Sequence, residues 1–589
     1  MAKLIAILPV PLLLFLVAAG CSRNPSEQLA QLSEEFVYTT LSYSPATATG
    51  VGLHRYHDQN LDEMLDDMSP ANLDRQRRFY QRFRERLAAL NRSRLAAEDR
   101  ADLAVLEDQV SLALLDLDEI HSHLHNPTLY VETLGNALFS PYVLEYAPKP
   151  ARFRSLMARL RKVPLYLDQA STNLLSAPAI WIDVAIQENQ GNINLVDQVI
   201  RRDAPEDVRE EYARCAQPAL VAMRKFQNYL KNNLASRTGA DWRLGGDIYP
   251  RKFRYVLGTG TEAASTLQMA ENDLQQVRSR MFALALPLHR ALAPAHKDHI
   301  ELFGLARENQ VIGEVLDKIA QNHSTRESYI DDARKDLEEA RVFVQARRLL
   351  ALPSRANLQV IPTPEFMRGV YSVGGFNPAP ALEPQLGAFY WVTPIPPDWP
   401  KDRVESKLRE YNFYKLKLLT IHEAMPGHYV QMDIANGVQP ESRRVLRSVF
   451  GNGAYIEGWA QFATQAMLDE GFLDHSPQLA LTFAKEELRV IANAILDIRL
   501  QMLNMSDQEA LDLMEKQTFQ EAEEAGEKLQ RAKLSSGQLP TYFAGWRGWV
   551  RVRNAYKDAK GASFNAAEFN DRALREGAVP FPALGPLLQ

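Results

Sequence analysis

Residues 152–175 read RFRSLMARLRKVPLYLDQASTNLL, with apolar residues returning at steps of three and four. That spacing places them on one face of an α-helix, whereas a half-buried strand would alternate every second residue. Thr261 to Leu286 shows the same steps, and the pattern is helical nearly throughout from Glu27 to about Leu350. Neither a repeat of fixed period nor a low-complexity tract interrupts it. The expected fold class is therefore mainly α.

The composition changes at about Pro353. Ten of the 33 prolines fall between Pro353 and Pro400, together with Gly374 and Gly375, and helices do not run through that density of proline. Inside it, Gly387 to Thr393 (GAFYWVT) is aromatic and β-branched and bounded by prolines, which predicts a strand. A bare linker has little use for Phe-Tyr-Trp-Val, so we expect a structured loop and small β element, near residues 386–394, beside a working cleft. Helix is expected again from Asp402 into His422, from about Gly453 to Glu470, from Gln478 to Met505 and from Ser506 to Leu534.

The chain has 589 residues, a net charge of −6 and a pI near 6.1, which gives no electrostatic case for nucleic acid. The basic run Arg75-Gln76-Arg77-Arg78 sits among acids and reads as a solvated helix face. At the start, Met1-Ala2-Lys3 precedes an apolar run from Leu4 to Ala19 that ends in small residues, the layout of a secretory signal peptide over 1–20. Val17-Ala18-Ala19-Gly20-Cys21 resembles the lipobox of bacterial lipoproteins, and that resemblance implies a lipidated Cys21, followed by a short polar tether over 21–28. Ser22 in place of an aspartate then implies an outer-membrane anchor facing the periplasm. The other cysteine, Cys215, reads as a small buried apolar residue. The remainder divides into an N-terminal helical region, 29–350, and a catalytic helical region, 351–589, expected to form one continuous fold.

HEAMPGH, residues 422–428, carries the chemistry. Two histidines four apart on a helix, with a glutamate between them as base, make a zinc-peptidase site. Here the histidines are six apart, about 600° of helix, which leaves the rings roughly 120° out of line. Either this is not a metal site or the helix is not regular. Pro426 and Gly427 stand where a deviation is wanted, since proline clashes with the carbonyl four residues back and glycine allows unusual backbone. We expect an outward bulge that returns His428 to the face of His422, with Glu423 as the base. Glu457, in GAYIEGWA (453–460), offers a third ligand on a following helix, its flanking glycines allowing close packing on the metal.

HEAMPGHYVQ followed by EGWAQF resembles the bacterial domain-of-unknown-function 885 family, whose pattern is close to H-E-A-x-P-G-H-x-x-Q and then E-G-W-A. The family is grouped with zinc metallopeptidases of the gluzincin type, and the resemblance implies a large multi-helix metallopeptidase-like fold similar to thimet oligopeptidase-like enzymes. It implies His422, His428 and Glu457 as zinc ligands and Glu423 as general base. AILDIR (494–499) and GQLPTYFAG (537–545) also match, while Phe462, Gln465 and Gln501 depart from the family pattern around the ligands. Further roles are expected for Tyr542 as hydrogen-bond donor to an oxyanion and for Arg547 on a substrate carboxylate. The strand holding Tyr390 and Trp391 is expected to bind a peptide backbone by edge addition. Asp497 and Arg499 would orient a ligand or pair with each other. His121, His123 and His125 could chelate, since His121 and His125 are expected to share a helix face, but no nearby acid completes a site and a surface cluster is the expected reading.

The resulting expectation is a zinc-dependent peptidase of peptides or short oligopeptides, held to the membrane by its N-terminal lipid alone. Two alternatives stay open: a non-catalytic envelope lipoprotein binding peptide or a partner, and a zinc hydrolase of another cell-wall amide or ester.

Overall fold

The computed structural model describes residues 24–258, 260–363, 368, 371 and 373–589. The signal peptide read at 1–20 and the lipidation site read at Cys21 lie outside the described residues. The chain is mainly α, 73% helical and 3% strand. Among the described residues no helix is long and apolar enough to cross a membrane.

The opening stretch forms the Lys149–Asn173 helix, whose buried side includes Phe153, Leu156, Met157, Leu160, Val163 and Leu167. It packs against the Arg209–Asn232 and Pro127–Val143 helices in a core cluster running from Ala46 to Leu234, which also holds Cys215. A larger core joins residues from Leu29 to Leu588 and so draws on both halves of the chain. The third, from Ala270 to Phe543, lies between the Ala263–Leu292, Gly304–Ala320 and Pro477–Met502 helices. At the N-terminus the expected tether is already helical from Pro25, where the Asn24 side chain accepts a bond from the Ser26 N–H.

The proline-dense segment folds as a three-stranded sheet, with Leu358–Pro362 parallel and Gly374–Asn377 antiparallel to Ala388–Val392. Only the last strand was legible in the sequence. It is the central one, so both of its edges are paired and edge addition to it is excluded; the free edges belong to its neighbours.

After the sheet, the helix expected from Asp402 to His422 is broken into Lys401–Glu410 and Phe413–Glu423. Asn412 causes the break, its side chain capping the second helix at the Tyr414 and Lys415 N–H groups. The Gly453–Asp469 helix starts the same way at Asn452, and Ser476 caps Pro477–Met502. The helix expected over Ser506–Leu534 is likewise divided into Asp507–Asp512, a wide turn at Leu513–Gln517, and Ala522–Leu534.

One helix pair positions the site. Gly453–Asp469 crosses Pro540–Lys560 at Gly458 and Gly545, where a Cβ on Gly545 would fall 1.9 Å from the Ala454 carbonyl oxygen. Gly458 thus packs on a neighbouring helix and not, as expected, on the metal. Trp459 and Trp549 are fully buried beside this crossing, each contributing roughly 3 kcal/mol of apolar burial. Trp549 also donates its indole N–H to the Tyr455 carbonyl, 2.9 Å away.

Candidate metal centre

The motif helix ends at Glu423 and a new helix starts at His428. Between them the chain widens: the Ala424 and Met425 N–H groups both reach the Thr420 carbonyl, and the Gly427 N–H reaches that of Ile421 at 3.0 Å. The Met425–Pro426 peptide is cis, and the Pro426 carbonyl accepts the Trp459 indole N–H at 2.9 Å. The expected bulge within one continuous helix is therefore replaced by a break between two. The consequence for the imidazoles is the one sought, because the His422 and His428 rings stand with centroids 4.8 Å apart, edge to face. Gly427 makes the approach possible, since a Cβ there would fall 1.8 Å from the His422 carbonyl oxygen.

Glu457 completes the group. Its Oε2 lies 3.4 Å from His428 Nε2 and 3.7 Å from His422 Nε2. This oxygen is buried and has no hydrogen-bond partner. Zinc bonds of about 2.0–2.1 Å to nitrogen and oxygen space tetrahedral ligand atoms about 3.3–3.4 Å apart, so the separations suit ligands of one ion better than direct hydrogen bonds. Two imidazoles and one carboxylate also leave a fourth position for water or substrate, as in catalytic sites.

The electrostatics fit the same group. Burial alone would raise the Glu457 pKa, yet the two facing imidazoles hold it well below the usual carboxylate range. Burial would lower that of His428, and the Glu457 and Glu423 carboxylates outweigh it and raise it. Gln461, one turn after Glu457 on the same helix face, places its amide 3.4 Å from His422 Nδ1. Turned to present its oxygen, that amide accepts the Nδ1–H and leaves Nε2 for an ion.

Around this group, Glu423 follows His422 at the helix end, and its charge is felt by His428, Tyr371 and Tyr390. The Tyr542 ring lies parallel to His422 at 6.4 Å. Burial, with the Glu457 charge, pushes the Tyr542 phenol up to about 12, so it is protonated and a donor at neutral pH. Gln538 donates to the Tyr542 oxygen, and Arg531 donates to Gln538 while its charge reaches Tyr542 and Tyr371.

The other expected contacts are placed differently. Tyr390 is fully buried with its hydroxyl 3.2 Å from Thr420 Oγ1, so it offers no surface to a substrate. Its neighbour Trp391 lines a cavity of about 270 Å³ with Tyr371, Gln431 and Ile456, and neither Trp391 Nε1 nor Gln431 Oε1 has a partner. Arg547 is engaged by Asp273 and lies over the Trp546 ring at 4.3 Å. Asp497 and Arg499 do not pair with each other. Asp497 accepts the Tyr249 hydroxyl at 2.5 Å and the Gly537 N–H, while Arg499 pairs with Glu271. His121 and His125 do not share a helix face: His121 is left-handed, the short helix starts at Ser122, and His125 bonds to the Ser176 carbonyl.

Sequence reasoning missed Gln461, Tyr371 and Arg531. Gln461 was available as the residue four after Glu457. Arg531 looks like any surface charge on an amphipathic helix, and Tyr371 sits in the proline-dense segment where no periodicity speaks for it.

No curated protein matches the chain. Among solved structures it resembles one from Shewanella oneidensis described as a lipoprotein of unknown function, with TM-score 0.77 and 26% identity over 95% of this chain and 98% of that one. A lipoprotein structure from Colwellia psychrerythraea matches with TM-score 0.77 and 16% identity over 96% and 98% of the two chains, a likeness of fold. Metallocarboxypeptidase 1 of Trypanosoma cruzi reaches only TM-score 0.36 at 11% identity, too distant to bear on the chemistry. The family model described as bacterial protein of unknown function (DUF885) matches residues 45–587, and the chain belongs to that family.

Proposed function

We propose that this chain is a zinc-dependent hydrolase of the gluzincin kind, a peptidase acting on peptides or short oligopeptides. The observation that carries the reading is the buried, unpartnered Glu457 Oε2 facing two imidazole Nε2 atoms. His422, His428 and Glu457 would hold the ion, which when bound supplies Lewis acidity and makes water a nucleophile near neutral pH. Glu423 takes the proton of the attacking water and returns it to the leaving amine. Tyr542, protonated and beside His422, donates a hydrogen bond to the oxyanion of the tetrahedral intermediate. The largely apolar cavity at Trp391, Tyr371 and Ile456 would receive a substrate side chain, a reading supported by the Glu423 charge felt at Tyr371 on its wall.

Lipidation at Cys21 would hold the enzyme at the outer membrane, facing the periplasm; the description of both similar structures as lipoproteins supports the lipid anchor. Residues 29–350 and 351–589 act as one continuous fold, a reading supported by the core shared between them.

The test is hydrolysis of a mixed peptide library by wild type and Glu423→Gln. We expect the variant to lose about 10²–10⁴-fold in rate while keeping its zinc. Equal rates would remove the peptidase reading.

A further inference from the structure

The structure brings together a second set of ligand-type side chains that the catalytic reading does not use. His289 lies near the end of the Ala263–Leu292 helix, His296 and His299 lie in the turn that follows, and Glu314 comes from the Gly304–Ala320 helix packed against the first. One ligand atom from each of the four lies within 4.8 Å of every other. We infer that His289, His296, His299 and Glu314 form a second metal site, for one divalent transition ion of the zinc class.

The convergence of three imidazoles and one carboxylate carries the inference, their contacts of 2.5–3.0 Å needing to widen by about 0.3–0.8 Å to reach ligand spacing. Glu314 is the hub, with Oε2 at 3.0 Å from His289 Nε2 and 2.5 Å from His296 Nδ1, and Oε1 at 3.0 Å from His299 Nε2. The far nitrogens of two of these rings also face carboxylates: His289 Nδ1 lies 3.1 Å from Asp298 Oδ1, and His299 Nδ1 lies 3.3 Å from Glu301 Oε1. The His289 and His299 rings stand with centroids 5.3 Å apart, the His289 ring wholly buried. An ion held by Glu314, by Nε2 of His289 and His299 and by Nδ1 of His296 would leave the Nδ1–H groups of His289 and His299 to donate to Asp298 and Glu301. That is the carboxylate–histidine–metal arrangement of protein metal sites. Asp298 is itself held, since Arg290 donates to its second carboxylate oxygen at 2.6 Å and Arg307 to its carbonyl.

The backbone agrees. Lys297, Asp298 and His299 are three consecutive left-handed residues, with φ of 48°, 55° and 48°. Such residues cost of the order of 1–3 kcal/mol each and persist only where their surroundings hold them. Here one of the three is a ligand and another orients a ligand. Four protein ligands make a closed, structural coordination shell, and imidazoles select zinc, copper or nickel over calcium or magnesium. The His296 side chain is half exposed, which gives the ion a path in from solvent.

The experiment is metal analysis of the full mature chain after dialysis against zinc chloride, in four forms: wild type, His296→Ala/Glu314→Gln, His428→Ala, and all three changes together. We expect two zinc ions per chain, one, one and none. A His296→Ala/Glu314→Gln chain that keeps the wild-type count overturns the inference, as does a His428→Ala chain holding none. One ion in wild type, lost on His296→Ala/Glu314→Gln but kept in His428→Ala, would support this site while removing the catalytic one. Because the His296 side chain is half exposed, the single change His296→Ala guards against misfolding. In the His428→Ala background it should weaken cobalt binding at least about 100-fold and abolish the visible absorption of tetrahedral cobalt, and an unchanged spectrum overturns the proposal.

Discussion

Replacing Gly427 with alanine tests the geometry on which the candidate metal centre depends. The new methyl would lie 1.8 Å from the His422 carbonyl oxygen and 2.4 Å from that of Ile421, where an ordinary contact needs more than 3 Å. Both obstacles are backbone, so no side chain can swing aside and the turn over 424–427 must move. Moving it breaks the Gly427 N–H bond to Ile421 and the Trp459 indole bond to Pro426. Two hydrogen bonds at about 1 kcal/mol each, and an overpacking cost of about 1–3 kcal/mol, give a destabilisation of roughly 3–5 kcal/mol. The assay is urea unfolding of chelator-treated protein, which separates this cost from metal binding, followed by zinc titration. We expect a lower midpoint at unchanged slope, and zinc affinity reduced at least about 100-fold because His428 begins at the displaced turn. A Gly427→Ala protein with the urea midpoint and zinc affinity of wild type would refute the close approach.

Other perturbations follow from the same structure. Tyr542→Phe should lower kcat by about 10²-fold with KM and zinc content nearly unchanged, as steady-state kinetics would show. Lys415 is buried with Glu486 as its ion-pair partner, and Glu486 keeps Arg489 at 3.8 Å when Lys415 is replaced, so Lys415→Met should cost about 1–3 kcal/mol in urea unfolding. Burial and the neighbouring Glu132 push the Glu188 carboxyl up to about 8. Its contribution to stability is therefore present below about pH 4.5 and lost as pH rises through 8. Glu188→Gln should then stabilise the protein by about 2 kcal/mol at pH 8, allowing for solvent screening, with most of the gain gone by pH 5 in thermal melts.

The helices and the residues gathered at the candidate metal centre were largely legible because their signals are local. Apolar steps of three and four predict the Lys149–Asn173 helix within a few residues of its ends. His422, Glu423, His428 and Glu457 form a pattern that demands explanation, and the Pro426-Gly427 pair pointed to a disrupted helix. The form of the disruption was not legible, since choosing between a bulge and a break depends on Trp459 meeting the Pro426 carbonyl from another helix. Asn412 was overlooked as a cap because the apolar pattern runs on across it. The sheet defeated the reading for a different reason: Leu358–Pro362 and Gly374–Asn377 lack alternation and are strands only because Ala388–Val392 lies between them. The His289–Glu314 cluster escaped because its ligands are spaced by a turn that no helical or strand period describes.

The most direct test of the proposed metal site is anomalous diffraction at the zinc edge from crystals of the purified mature protein. The account predicts a peak within about 2.0–2.2 Å of His422 Nε2, His428 Nε2 and a Glu457 carboxylate oxygen. No peak among these three side chains, in crystals grown with zinc present, would contradict it.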